Sequence, residues 1–157
     1  IDSSAFSSCT SLTNIEIPNT VTTIKERAFA NCIGLTDITI PDSVTSIGYS
    51  AFAGCKSLTS IEIPVGVTKI ETYSFMDCDS LINVVISNTV TSIERYAFAN
   101  CSTLQNIIIP ESVTSIGSFV FKDCNLLTIS CEATTKPIGW NDEWNSSNCP
   151  VVWRYNK

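Results

Sequence analysis

The chain has 157 residues, of which 44% are hydrophobic and only 15% charged, with a net charge of −6 and no histidine. This length fits one globular domain, and this composition excludes a disordered chain. The acidic balance disfavours nucleic acid as a partner, and the lack of histidine removes the Ser-His-Asp triad and zinc sites with a His ligand. No apolar stretch reaches the ~18 residues of a membrane span, so we expect no membrane insertion by this segment.

A repeat of 23 residues runs along most of the chain. Three of its positions keep one residue type in all six copies: Phe6, Phe29, Phe52, Phe75, Phe98 and Phe121; Cys9, Cys32, Cys55, Cys78, Cys101 and Cys124; Leu12, Leu35, Leu58, Leu81, Leu104 and Leu127. The unit reads L-x-x-I-x-I-P-x-x-V-x-x-I-x-x-x-A-F-x-x-C-x-x. Agreement over so many copies is the signature of a repeat architecture.

Each copy predicts the path of one coil. In the first copy, apolar and polar residues alternate over 14–17, which predicts a short strand with every second side chain buried. Pro18 ends this strand because it has no N–H to donate. The V-x-x-I segment over 21–24 predicts a second short extended piece, and the A-F-x-x-C segment over 28–32 suits one helical or 3₁₀ turn.

One coil cannot bury its own apolar side, whereas stacked coils bury a continuous core. We therefore predict a leucine-rich-repeat solenoid, a right-handed stack of about six 23-residue coils with a parallel β-sheet on its concave face. Short strands and 3₁₀ or helical turns are predicted on the other sides. Residues 1–131 are assigned to the solenoid, which starts in mid-repeat, and residues 132–157 to a C-terminal capping segment.

The unit, with its A-F-x-x-C and I-x-I-P signatures, resembles the BspA-like leucine-rich repeat over about residues 1–131. It lacks the Asn ladder of the commoner leucine-rich pattern. The resemblance implies a curved solenoid on secreted or cell-surface proteins of host-associated bacteria and some protists. It further implies a non-enzymatic adhesion module whose partner is a protein, such as a host extracellular matrix or cell-surface protein.

The two ends of the repeat array differ. The chain begins halfway through a repeat, so we expect repeats or a cap before Ile1 in the parent protein. We also expect an N-terminal edge that frays or self-associates through its apolar side chains: Phe6, Leu12, Ile15 and Ile17. At the other end one residue is deleted after Cys124, so Leu126, Ile129 and Cys131 are predicted to fill the strand positions of the sixth copy.

All three tryptophans, Trp140, Trp144 and Trp153, lie after the last repeat. Trp140 and Trp144 are four residues apart and would share one face of a short helix. We interpret the segment as a lid over the last coil, because the end of a solenoid core must be covered. The alternative is a carbohydrate-binding module in which the tryptophans and tyrosines stack on sugars.

The cysteines of the repeat fall in one column pointing into the core, where a free thiol packs as a small apolar side chain. No close pair suggests a zinc site, and no calcium loop is present, so we predict neither a metal nor a cofactor. Cys131 and Cys149 lie outside the column. A disulfide between them would pin the lid across the last coil, and the alternative is that both are packed thiols.

The outward positions of the main strands are the candidate binding residues. They form columns along the concave face: Asn14, Asp37, Ser60, Asn83 and Asn106; Glu16, Thr39, Glu62, Val85 and Ile108; and, from a third column, Ile82 and Gln105. The face is polar and acidic in the first three coils and turns apolar at Ile82. Extended faces of this kind bind proteins in other solenoids. An outer row of Arg27, Ser50, Tyr73, Tyr96 and Phe119 is interpreted as structural.

Two other functions stay open at this stage. The repeats could serve as a structural spacer or stalk domain in a larger surface protein, which predicts no ligand for this segment. An enzyme is disfavoured because no nucleophile motif, phosphate-binding loop or paired carboxylates in a cleft is present.

Overall fold

The computed structural model describes residues 1–156 and shows a parallel-sheet solenoid of about six turns of ~23 residues. We number the coils 1 to 6 by the leucines that precede their main strands, from Leu12 to Leu127. The phenylalanine and the cysteine that come just before each leucine are counted in the same coil. The strands are short: β1 Thr23–Ile24, β2 Ser46–Ile47, β3 Ser60–Ile63, β4 Lys69–Ile70, β5 Asn83–Ile86, β6 Ser92–Ile93, β7 Asn106–Ile109, β8 Ser115–Ile116, β9 Thr128–Cys131 and β10 Val151–Trp153.

The main sheet is parallel and has the strand order β10-β9-β7-β5-β3. Its register is set by the repeat, so that Glu62 lies beside Val85 and Asn83 beside Asn106. Coils 1 and 2 add to this side only an isolated bridge between Glu16 and Thr39, which is less than the strand predicted there. The second extended pieces form two smaller parallel sheets, β1-β2 and β4-β6-β8.

The core is a set of stacked columns, as the repeat predicts. Five phenylalanines, from Phe29 to Phe121, are fully buried. The rings of Phe29, Phe52 and Phe75 stack nearly parallel, with centroids 5.2 and 5.5 Å apart. Coil spacing and ring spacing therefore match, and each internal ring contacts one ring above it and one below it.

The outer segments are turns, and no α-helix is formed among residues 1–156, so of the two predicted forms, a 3₁₀ or a helical turn, the structure has the 3₁₀ type of hydrogen bond. The i→i+3 hydrogen bonds of a 3₁₀ turn are present, for example from Cys32 N–H to the Phe29 carbonyl at 3.2 Å. Arg27 and Asn31 nevertheless have φ of 55° and 58°, which breaks any helix. Between these residues, the Phe29 N–H donates instead to the Ala51 carbonyl of the next coil, at 2.8 Å.

Coil 6 places its deletion differently from the prediction. Leu127 is 1% exposed and fills the leucine position, whereas Leu126 is 61% exposed. Ile129 pairs with Ile107 and Cys131 with Ile109, as predicted for these two residues. The residue is therefore missing between Leu127 and Ile129, because a buried leucine must precede the strand in every coil.

The segment after β9 covers the last coil. Trp140 and Trp144 are 2% and 5% exposed, and their rings meet edge to face with centroids 4.8 Å apart. Neither lies on the predicted helix: Trp140 forms an isolated β-bridge with Ile116, and Trp144 lies in a turn. Trp144 also contacts Phe121, the last ring of the phenylalanine column, at 6.1 Å. The division of the chain at residues 131 and 132 stays a prediction, since β10 continues the main sheet.

Candidate functional site

The predicted binding residues lie on the side of the solenoid that is formed by the main sheet and, in coils 1 and 2, by the segments bridged at Glu16 and Thr39. We call the outward surface of this side the sheet face. The register carries one of their columns across the coils, because Glu62 pairs with Val85 and Ile108 with Ser130. β10 extends this column by one more residue, since Val152 also pairs with Ser130. Sequence reasoning missed Val152, although the β-branched run Val151-Val152 was a signal for a strand.

Three apolar side chains of this face are open to solvent. Ile82, Val85 and Val152 are 51%, 45% and 47% exposed, and Ile108 is partly exposed. Their inward neighbours Val84 and Ile107 are buried. The strand alternation therefore holds, and these outward apolar residues are not part of the core.

Two depressions open on the sheet face. The larger, of about 490 Å³, is lined by residues of coils 1 and 2 that include Asn14, Glu16, Asp37 and Thr39. The smaller, of about 150 Å³, lies between β5 and β7: Asn83, Val84, Val85, Ile86, Asn106, Ile107 and Ile108. Eight of the twelve predicted residues thus line a depression: Asn14, Glu16, Asp37, Thr39, Asn83, Val85, Asn106 and Ile108. Ser60, Glu62, Ile82 and Gln105 line neither.

The cysteine column makes hydrogen bonds that the sequence did not predict. The Cys55 thiol donates to the Phe29 carbonyl at 3.2 Å, and the thiols of Cys32, Cys78, Cys101 and Cys124 contact the phenylalanine carbonyl of the preceding coil in the same way. Cysteine therefore fills a small apolar site and also supplies a donor to a backbone acceptor. Cys9 of coil 1 is exposed.

Cys131 and Cys149 are free, buried thiols in the structure. Cys131 lies opposite Trp153, four residues after Cys149. At about 3.3 Å per residue, this offset places Cys149 roughly 13 Å along the strand from the point opposite Cys131. Disulfides need Cα atoms within about 7 Å, so the register leaves the bridge considered above out of reach.

The buried thiols predict that the protein loses stability in alkali. Burial raises the pKa of Cys55 to about 12, from an ordinary value near 9. Above pH 9 the unfolded chain releases this proton while the folded chain keeps it, so stability falls as the pH rises toward 12. We expect a loss of about 2–3 kcal/mol from this thiol between pH 9 and 11.

Urea unfolding of wild type and Cys55→Ala at pH 8, 9, 10 and 11 measures this contribution. The alanine variant should be the less stable at pH 8, and its stability should fall less steeply than that of wild type above pH 9. Parallel pH profiles for the two proteins would show that the Cys55 thiol ionises as easily in the folded chain as in the unfolded one.

The outer aromatic row is a structural feature. The rings of Tyr73 and Tyr96 stack at 5.3 Å, those of Tyr96 and Phe119 stack at 5.2 Å, and Arg95 lies over both Tyr96 and Phe119. Tyr73, Tyr96 and Phe119 have φ of 59°, 56° and 59°, a left-handed conformation that costs bulky residues about 1–2 kcal/mol each. Because the ring faces cover one another, they are not free to stack on a sugar.

Trp140 and Trp144 do not form the sugar-binding platform that was considered as an alternative. Both are buried, and the Trp140 indole N–H donates to the Val113 carbonyl at 3.0 Å. The side chain of Asn145, in a glycosylation-type triplet, is bonded through both its oxygen and its nitrogen to the backbone of Cys149. These groups hold the covering segment in place.

Residues 1–156 show neither a metal centre nor a membrane-spanning helix. They contain no group of three or more His, Cys, Asp or Glu side chains placed to hold a metal ion. Within the same residues, no helix has the length and apolarity needed to cross a bilayer.

Comparison with solved structures finds similar folds in bacterial proteins. A leucine-rich cell surface protein from Faecalibacterium prausnitzii is 39% identical, with a TM-score of 0.75 over 90% of this chain and 38% of that one. A leucine-rich repeat protein from Bacteroides ovatus is 34% identical, with a TM-score of 0.77 over 90% and 37%. The leucine-rich repeat protein of T. pallidum is 25% identical, with a TM-score of 0.76 over 91% and 70%.

The chain thus spans less than two fifths of the length of the first two proteins. A search of curated proteins finds no match. The family model for the BspA type leucine-rich repeat region matches six copies, over residues 1–128 and 68–147. Proteins of this type are often surface proteins, and leucine-rich-repeat families are generally non-enzymatic. The chain belongs to the BspA-type leucine-rich-repeat family.

Proposed function

We propose that this chain is a non-enzymatic protein-binding module of a larger surface protein, and that it engages its partner through the sheet face. The observation that carries the proposal is a pair of outward apolar residues, the exposed Val85 and the partly exposed Ile108, that line a depression on an otherwise regular sheet. An apolar patch beside polar rows is typical of a protein interface.

The resemblance to adhesins suggests which partners to test first. The purified chain is assayed by biolayer interferometry against fibronectin, laminin, fibrinogen and collagen. Any partner found is then tested against Val85→Lys/Ile108→Lys, which introduces two charges into the patch. We expect at least a tenfold loss of affinity, because an unpaired charge at the centre of an interface is desolvated.

The matched control is Ile33→Lys/Ile138→Lys, which adds the same two charges at exposed apolar residues away from the main sheet. Both variants should keep the wild-type circular dichroism spectrum. Equal binding by both variants and wild type would place the interface elsewhere.

A spacer is the second candidate, and the continuous parallel stacking of the coils favours it. A stalk needs length and rigidity and no specific surface. Failure of all four matrix proteins to bind at micromolar concentration would contradict adhesion to these partners and favour the spacer.

A further inference from the structure

The sheet face is divided chemically into two halves. The outward strand positions of coils 1 to 3 include three carboxylates, Glu16, Asp37 and Glu62, and those of coils 4 to 6 carry no charge. In coils 4 to 6 the apolar side chains Ile82 and Val85 are exposed instead. None of the six coils has a Lys or Arg at an outward strand position.

Within residues 1–156, no cation forms an ion pair with the carboxylates of the first half. The ion pairs among residues 1–156 involve other acids, such as Asp2, Asp79 and Glu94. Glu16 and Asp37 instead line the depression of about 490 Å³. The apolar depression at Val85 therefore continues, along the same face, into a region of uncompensated negative charge.

The distance between the two halves sets the size of an occupant. Parallel coils are spaced by about 4.8 Å, so Asp37 lies about 14 Å and Glu16 about 19 Å from Ile108 along the stack. An extended chain rises about 3.3 Å per residue and covers these distances in four to six residues. A short extended peptide is thus long enough to contact both halves.

We call the depression between β5 and β7 the apolar groove. We infer that its occupant is an extended polypeptide segment with a large apolar residue and a Lys or Arg four to six residues away. This inference rests on the proposed function and specifies its partner. The apolar side chain enters the groove between β5 and β7, and the cation lies against Glu16 and Asp37. The acidic half disfavours a polyanion, and no Phe, Tyr or Trp stands at the outward strand positions of the six coils to stack on a glycan.

A phage-displayed library of random 12-residue peptides, panned on the immobilised chain at 50 mM salt, tests the inference. We expect the enriched peptides to share a basic residue and an apolar residue at the predicted separation. Synthetic copies of these peptides are then measured against wild type, Glu16→Gln/Asp37→Asn, and the control Glu26→Gln/Glu143→Gln, which removes two exposed acids off the sheet face.

The Glu16→Gln/Asp37→Asn substitutions should weaken peptide binding about tenfold at 50 mM salt and less than threefold at 0.5 M, because salt screens exposed charges. The control pair should bind within twofold of wild type. The peptides should also lose binding to Val85→Lys/Ile108→Lys.

The outcomes separate the inference from the proposed function. Enriched acidic or uncharged peptides that require Val85 and Ile108 would overturn the inference and leave the sheet face as the binding site. Enriched peptides insensitive to both sheet-face pairs would overturn both. A library that yields no enrichment over the bare surface counts against the inference, since a groove that takes an extended segment must select some sequences.

Discussion

Replacing Phe75 by Ala is expected to lower the free energy of unfolding by about 3–5 kcal/mol, as for other buried phenylalanines. Phe75 is fully buried and lies between two rings, those of Phe52 at 5.5 Å and Phe98 at 5.4 Å. Truncation therefore removes two stacking contacts and leaves a cavity in the middle of the solenoid. Since small domains are stable by only 5–15 kcal/mol, this loss is a large fraction of the total.

Urea unfolding followed by circular dichroism measures this loss, and tryptophan fluorescence adds information on its location. All three tryptophans follow coil 6, so their fluorescence reports on the C-terminal end alone. Coils contact only their neighbours, so a cavity in coil 4 weakens the coupling between the two ends. We expect the two probes to give coincident transitions in wild type and separated ones in Phe75→Ala.

The matched control is Tyr49→Ala, which removes an exposed aromatic ring with one edge contact, to Tyr73. It should cost less than about 1 kcal/mol and leave the two transitions coincident. If Phe75→Ala were as mild as Tyr49→Ala, the phenylalanine column would not be a close-packed core.

The repeat made the coil path predictable because each side chain that defines it has one physical reason to be where it is. Ile61 and Ile63 alternate with polar residues and are buried in β3, and Pro64 follows the strand. Parallel stacking then fixes the neighbours of every outward residue at a separation of 23. That is why the columns of candidate binding residues are predictable from the sequence.

Local backbone conformation was the part that the repeat did not reveal. Asn31 and Asp77 are residue types that tolerate a positive φ, but Tyr73 and Phe119 are not, and their turns were predicted as 3₁₀ or helical, with negative φ throughout. The backbone adopts this conformation because alternate N–H groups must reach the next coil. That requirement depends on the stack and not on any one copy, so spacing within a copy could not indicate it.

The candidate site was predictable in position and not in shape. Outward alternation located Glu16 and Val85 on one face, yet the two depressions depend on how side chains of adjacent coils meet. The prediction of which leucine is buried in coil 6 was wrong for a related reason. Leu126 and Leu127 are equally apolar, and only packing against coil 5 decides which one is buried.

Replacing Trp140 by Ala should lower the free energy of unfolding by about 3–5 kcal/mol, but the loss of structure should stay at the C-terminal end of the molecule. Trp140 contacts Trp144 at 4.8 Å and Trp153 at 5.8 Å, and its indole N–H satisfies the Val113 carbonyl. Its backbone also bridges to Ile116 in β8. Removing the ring therefore exposes the last coil to solvent and also leaves the Val113 carbonyl without its hydrogen-bond donor.

Hydrogen exchange shows where the loss falls. We expect amides of β8 to β10 to lose protection in Trp140→Ala, while those of β3 and β4 change little. Trp140→Phe keeps most of the bulk and loses the hydrogen bond, so it should cost about 1 kcal/mol and preserve protection in β9. Uniform loss of protection across the chain would mean that the solenoid unfolds as one unit, and the segment after β9 would then be an integral coil and not a cover for an end that can fray.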